Sequence, residues 1–250
     1  MNSSVAMEIY AGLGAAAALG LAAGGCAYAS LYPGSRIFGN ALIAPRRAGE
    51  IALTFDDGPN MAWTPRLLDL LAEHNVKVTF FMLGSRAEQE PELVRRVAAE
   101  GHLIGSHSWS HPNLARTAAG LVREELTRTS AVLEQITGER VRYFRPPFGA
   151  RRPMVLRAAR ELGLTPVMWN VTGFDWDPIG VDGILGNLER GIAKNRQRGC
   201  GSNLLLHDGG HRGMGAARMD TVRAVERLLD AHAGTETRFV TVDAWAKAEG

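Results

Sequence analysis

The stretch Ile51-Ala-Leu-Thr-Phe-Asp-Asp-Gly-Pro59 constrains this chain more than any other. Five residues that are apolar or β-branched, Ile51 to Phe55, end abruptly in two adjacent carboxylates and a Gly-Pro break. The pattern predicts a buried strand with Asp56 and Asp57 at its carboxyl end. Successive side chains of an extended strand point to opposite sides, so the two acids are expected to take different tasks. Taken alone, the same letters also describe a polar strand end leading into a turn.

From Pro59 onward, strand-like runs alternate with helical patterns. Thr64-Pro65 reads as an N-cap and a first helical position, opening a helix through His74 with Leu67, Leu68, Leu71 and Ala72 as its apolar stripe. A strand is predicted at Val76–Leu83, a helix at Pro91–Glu100 stopped by Gly101, and a short strand at Leu103–Gly105. An amphipathic helix over Ala118–Thr137 ends at Gly138. Then come a strand near Tyr143, a helix over Pro153–Leu162, a strand at Pro166–Val171 and a helix over Val181–Lys194. A strand at Asn203–Leu206, a helix over Met219–His232 and a strand at Arg238–Val242 close the series. Alternating strands and helices imply a mostly parallel sheet, and their number points to an α/β barrel-like fold. With 46% apolar and 22% charged residues, the chain can bury a substantial core. A net charge of +2 and the lack of any Lys/Arg block exclude a nucleic-acid partner. Cys26 and Cys200 are the only cysteines, which excludes a disulfide framework or a cysteine-rich zinc site.

The N-terminus differs in kind. No residue from Ile9 to Ser35 is charged, and the run is rich in Ala, Gly and Leu. About 20 such residues suffice to cross a bilayer. A membrane anchor over residues 9–32, a cleaved signal peptide, and a lipoprotein signal ending at Gly24-Gly25-Cys26 all compete, and a single anchor is favoured. Glu8 precedes the run with no Lys or Arg, against an ordinary signal peptide. Arg36, Arg46 and Arg47 come after it, which by the positive-inside rule argues for an inward-facing domain. The division expected is a hydrophobic segment at 1–35, a connector at 36–49 with little structure of its own, and a catalytic domain from residue 50 to 250.

Nearly every polar cluster falls just after a predicted strand, and in an α/β barrel those ends share one face. His107-Ser-Trp-Ser-His111-Pro112 sets two imidazoles four residues apart, and Pro112 disfavours helix at His111, so a turn is expected. With one carboxylate they form a set that suits zinc or a similar divalent ion and leaves positions open. Taken alone, such a pair is more often two surface histidines; beside a strand-end Asp-Asp the metal reading is favoured. Arg145-Pro-Pro-Phe-Gly149 is a rigid turn presenting an arginine, either to the site or to a structural ion pair. Asp175-Trp176 comes after another strand, and Leu204-Leu-Leu-His207-Asp208 ends a strand in an imidazole that is a candidate general acid.

Thr54-Phe-Asp-Asp-Gly-Pro59, His107-Ser-x-x-His-Pro112, Arg145-Pro-Pro-Phe-Gly149, Asp175-Trp176 and Leu205-x-His-Asp208 stand in the order of the polysaccharide deacetylase family. The chain resembles this NodB-homology group, carbohydrate esterase family 4, from about Glu50 to Asp243. The resemblance implies a distorted (β/α)7 barrel. By it, Asp57, His107 and His111 correspond to the metal triad for one divalent ion, zinc first, with cobalt, nickel or manganese as alternatives. Asp56 resembles the base that activates the attacking water, with Arg145 as the partner that orients it. His207 resembles the acid that protonates the leaving amine, and Asp175 its tuning carboxylate. Trp176 and Leu205 match positions that wall the acetyl pocket. Phe148 stands where the family commonly has tyrosine, a position whose backbone N–H helps bind the oxyanion. Thr172 stands where the family commonly has an acid.

The function implied is metal-dependent removal of N-acetyl groups from a glycan such as peptidoglycan, a chitin-like oligomer or an exopolysaccharide. Such a domain would be monomeric and held outside the cytoplasm. Deformylation or deacylation of a lipid-linked sugar is the alternative within enzymes. An inactive glycan-binding module is the alternative outside them, although a binder has no need of Asp56 and His207.

Overall fold

The computed structural model describes residues 20, 24–213 and 215–246. The Ile51–Phe55 run lies within β1 (Glu50–Gly58), buried along its whole length. Around it run α1 (Thr64–Glu73), β2 (Thr79–Met82), α2 (Gly84–Gln89), α3 (Pro91–Ala99) and β3 (Leu103–Ser106). Next are α4 (Ala119–Thr137), β4 (Tyr143–Phe144), a 3-10 turn (Pro147–Gly149), α5 (Pro153–Glu161), β5 (Thr165–Pro166) and β6 (Val171–Thr172). The chain continues through α6 (Gly180–Gln197), β7 (Ser202–His207), α7 (Met219–His232), β8 (Arg238–Phe239) and α8 (Asp243–Ala246).

Strand order is β5-β4-β3-β2-β1-β7-β6, with β8 paired to the start of β1, and every pairing is parallel. The end strands β5 and β6 do not pair with each other, so the sheet is a curled, open barrel, the distorted form of the (β/α)7 architecture. Alternation decides what lies on each face. Ile51, Leu53 and Phe55 of β1, Phe80 and Met82 of β2, and Leu204 and Leu206 of β7 join the large core shared with the helices. The residues between them face the interior. There Ala52 and Phe81 pack with Tyr143, Val167 and Trp245, and the same face carries Thr54, Asp56, Asn203 and His207. The barrel's interior is therefore partly polar, and its polar end is the site.

Several local expectations are corrected. Thr64 does not cap α1. Trp63 holds that position, while the Thr64 hydroxyl accepts from the Asn60 N–H at 2.8 Å and donates to Asp208 Oδ2. The strand expected from Val76 begins at Thr79, with Val76 and Val78 buried ahead of it. The strand expected at Pro166–Val171 is two short ones, β5 and β6, on opposite edges of the sheet. The six-residue α2 and the four-residue α8 add to the expected helices, each too short to show a helical stripe in the sequence.

The connector at 36–49 does not run free. Leu42 forms a parallel bridge with Val167, and Ile43 O accepts from Asn203 Nδ2 at 3.0 Å. Just before it, buried Arg151 donates to Tyr32 O at 2.8 Å, Ser35 O at 3.0 Å and Gly149 O at 3.1 Å. Most of the anchor expected over 9–32 lies outside the described residues. Among those described, no helix is long and apolar enough to cross a membrane.

Candidate active site

A cavity of about 860 Å³ opens at the carboxyl ends of the strands. Asp56, Asp57, His107, His111, Phe148, Trp176, Leu205 and His207 all line it. Arg145 and Asp175 do not; each is buried behind a lining residue, Arg145 behind Asp56 and Asp175 behind His207.

Strict alternation would send Asp56 and Asp57 to opposite faces of β1, and here the expectation fails. The pairing of β1 with β2 slips between Asp56 and Gly58, and Asp57 takes a left-handed backbone with φ 71°. This irregularity turns the second carboxylate back into the cavity beside the first. Six non-glycine residues among those described have positive φ, and five of them (Asp57, Ser108, His111, Phe148 and Phe174) sit in or next to the site motifs. Such conformations cost free energy and persist where surrounding packing imposes them.

Asp57 and His107 are each 2% exposed. Asp57 Oδ1 is buried without a hydrogen-bond donor and lies 3.5 Å from His107 Nε2 and 3.3 Å from His111 Nε2. His107 Nδ1 meets Arg145 O at 2.9 Å, so Nδ1 carries a proton and the ring is oriented with Nε2 towards Asp57. Burial, with His107 adjacent, lowers the pKa of His111 to about 3, which keeps that ring neutral. One ligand atom from each of Asp57, His107 and His111 lies within 4.8 Å of the others. A bare carboxylate oxygen facing two imidazole nitrogens is a donor set a divalent cation fits.

Arg145 is wholly buried. Its Nη1 donates to Asp56 Oδ1 at 2.8 Å and Thr54 Oγ1 at 2.6 Å, its Nη2 to Asn203 Oδ1 at 3.2 Å, and it lies 4.3 Å from the Phe81 ring. One oxygen of Asp56 is thus tied down, while Oδ2 is 3.8 Å from His107 Nε2. On the opposite side, His207 Nδ1 meets Asp175 Oδ1 at 2.8 Å, and Asp175 Oδ2 accepts from the His207 N–H and the Thr221 hydroxyl. Burial disfavours the imidazolium, but the Asp175 carboxylate outweighs it and raises His207 to about 9. Burial likewise opposes the charge of Asp175, yet His207 and Arg218 hold it below the usual carboxylate range. Trp176 stands edge-on to His207 at 5.3 Å, and Leu205 is buried two residues before it. In the turn at Pro147–Gly149, hydrogen bonds run from Gly149 N–H to Pro146 O and from Ala150 N–H to Pro147 O; the Phe148 N–H is not among their donors.

Residues missed from sequence also converge here. His211 stacks on His111 at 4.7 Å, and its N–H donates to Asp57 Oδ2 at 3.1 Å. Arg86 holds Asp57 from behind, Thr54 and Asn203 accept from Arg145, and Thr221 donates to Asp175. Arg86 lies four residues beyond β2, so the strand-end rule could have flagged it. Nothing in the letters marks Thr221, which acts from the first turn of a helix.

The sequence model of the family described as polysaccharide deacetylase matches residues 44–167. A peptidoglycan-N-acetylglucosamine deacetylase of Bacillus cereus is 37% identical over 81% of this chain and 70% of its own length. A chitooligosaccharide deacetylase of Azorhizobium caulinodans is 36% identical over 69% of this chain and 80% of its own. Among solved structures, that of the Bc1960 peptidoglycan N-acetylglucosamine deacetylase superposes with a TM-score of 0.73 at 35% identity, covering 82% of this chain and 91% of that one. With these relatives matched along most of their length and the five motifs gathered at one cavity, the chain belongs to the polysaccharide deacetylase family.

Proposed function

We propose that the protein is a metal-dependent hydrolase that removes acetyl groups from the N-acetylated amino sugars of a glycan. The observation that carries this reading is the pairing on either side of the Asp57–His107–His111 set: Asp56 with Arg145 at 2.8 Å, His207 with Asp175 at 2.8 Å. Two acid–base groups, each held by its own buried partner and facing one cavity, suit hydrolysis and not mere binding. The relatives named above, deacetylases of peptidoglycan N-acetylglucosamine and of chitooligosaccharides, support the substrate class.

Asp57, His107 and His111 would hold the ion, zinc by the chemistry of the donors, with cobalt, nickel or manganese as replacements. When bound, such an ion lowers the pKa of a water from about 15.7 to about 7 and polarises the amide carbonyl. The pairings of Asp56 with Arg145 and of His207 with Asp175 support the remaining steps. Arg145 fixes Asp56 through Oδ1, and the free Oδ2 accepts a proton from the attacking water. As the water oxygen adds to the carbonyl carbon, the Phe148 N–H donates to the developing oxyanion, the role that the family resemblance implies for this position. Asp175 takes the Nδ1 proton of His207 in a hydrogen bond, so that Nε2–H points to the cavity and protonates the nitrogen as the C–N bond breaks. Acetate and a free amine leave. Trp176 and Leu205 wall the space an acetyl group occupies.

The same reading puts the domain outside the cytoplasm, as a monomer tethered by residues 9–32. The uncharged run supports the tether, as do the exposed side chains of Tyr28, Leu31 and Tyr32 at its end. Acetate release from a panel of N-acetylated glycans and lipid-linked sugars, before and after chelation, tests the activity. Release that chelation leaves untouched, or none from any N-acetylated glycan, would overturn it. Protease treatment of intact cells tests the placement, and a C-terminal tag that stays protected until lysis would reverse it.

A further inference from the structure

Arg86 on α2 is 6% exposed, and among the described residues no carboxylate pairs with it directly. Both of its hydrogen bonds go to main-chain oxygens: Nη1 donates to Asp57 O at 2.7 Å and Nη2 to Gly210 O at 2.5 Å. Burying a guanidinium is costly, and two carbonyl acceptors from distant parts of the chain make it a bridge. One end is the left-handed residue that carries a ligand carboxylate. The other is the loop after β7, whose next residue, His211, donates its N–H to Asp57 Oδ2 at 3.1 Å. The loop is pressed close: a Cβ on Gly209 would lie 2.0 Å from Asp57 O, a position open only to glycine.

These contacts close a ring. Arg86 ties the Asp57 carbonyl to the Gly210 carbonyl, and the loop so held ties Oδ2 of the same aspartate. Oδ1 alone is left bare, towards His107 and His111.

We propose that Arg86 is a positioning residue for the metal centre: by bridging the Asp57 and Gly210 carbonyls it fixes the backbone and carboxylate of Asp57 so that Oδ1 faces the cation. The inference rests on the reading of Asp57, His107 and His111 as ligands. Groups that orient ligands in this way commonly govern metal affinity by about 10- to 100-fold.

Cobalt(II) is the probe, titrated into the chelator-stripped full-length protein in competition with a chromophoric chelator, with its d–d absorption recorded. Stoichiometric binding by the unaltered protein is required; its absence would sink the ligand reading itself, independently of Arg86. Arg86→Met is expected to weaken Kd by about 10- to 100-fold and to alter the absorption bands, because a loosened Asp57 changes the ligand field. Arg86→Lys keeps the charge but not the two-pronged fork, so it is expected to fall between the two, and it serves if the Met variant does not fold. Cobalt affinity and spectrum unchanged in Arg86→Met, with only a lower Tm, would show a merely structural arginine. Tighter binding in Arg86→Met would show a charge that repels the ion. An Arg86→Lys variant indistinguishable from the parent would rule out the fork.

Discussion

At the scale of single residues, the informative feature is asymmetry between the two acid–base groups. Asp56 is held by a permanently charged arginine, whereas His207 is held by Asp175, whose carboxylate can be neutralised by substitution without change of shape. With His207 raised to about 9, its proton is present across neutral pH and lost as pH rises through that value. Asp175→Asn removes the charge that lifts it. The alkaline limb of kcat/KM is expected to fall from near pH 9 towards the ordinary imidazole value of 6.5, with a lower maximum rate. The acid limb should move much less. The sign carries over to stability: a raised folded pKa stabilises fully below 6.5, and that contribution fades as pH rises through about 9. An alkaline limb that stays in place in a folded variant removes Asp175 from the mechanism. His111→Ala makes a second case. It deletes a neutral nitrogen 3.3 Å from Asp57 Oδ1 and should abolish stoichiometric metal binding, with circular dichroism unchanged; full occupancy in that variant would contradict the assignment.

Among the elements, β1 carries the most consequence, because its last turn departs from the strand it continues. The register slip after Asp56 and the close contact of Gly58 with Asp208 belong together: a Cβ on Gly58 would lie 2.2 Å from Asp208 Oδ2 and 2.5 Å from Oδ1. Asp208 is fully buried and held by Thr64, so it has little room to yield. Gly58→Ala is therefore expected to cost about 1–3 kcal/mol by overpacking, read as a Tm lower by several degrees. An unchanged Tm would mean that the strand end relaxes freely. This element also shows what letters can and cannot carry. The buried strand and its terminal acids were legible, because an apolar run that ends in charge has few other uses. The arrival of both acids in one cavity was not, because alternation argued against it and the slip depends on β2 and on the loop after β7. For the same reason His107, His111 and His207 could be placed at strand ends, and Asp175 beside His207 only through the family resemblance, while the groups that hold His107 and Asp175 could not. His107 leans on a carbonyl, Arg145 O, that has no signature in sequence. Asp175 is steadied by Thr221 from α7, a contact made 46 residues away.

For the whole molecule, alternation of strands and helices was enough to predict a parallel, barrel-like fold, since parallel strands require crossovers. The open seam between β5 and β6 was hidden, because two-residue strands leave too little periodicity to read. So was the way the N-terminal segment joins the domain. Pro33, Gly34, Pro45 and Gly49 suggested a loose connector. Instead, Ala29 is buried, the Arg151 N–H donates to Ser30 O at 3.0 Å, and the Arg151 guanidinium gathers carbonyls from Tyr32 and Ser35 on one side and Gly149 on the other. Residues 24–31 are helical, so this cation also sits near the end of a helix where the backbone dipole is negative. The clamp joins the segment expected to meet the membrane to the turn that carries Phe148. Arg151→Met would remove the cation and leave those carbonyls without a donor, at about 1–3 kcal/mol for each that water does not reach. The loss should be local first: residues up to Ser35 should lift off while the core about β1 stays folded. Trypsin cleavage after Arg36, which is exposed, should then accelerate at least tenfold, a factor equal to about 1.4 kcal/mol of local opening. Cleavage after residues of the folded helices should not change. Equal rates at Arg36 in the parent and the variant would mean that the segment is already free in solution and that Arg151 holds only its own turn.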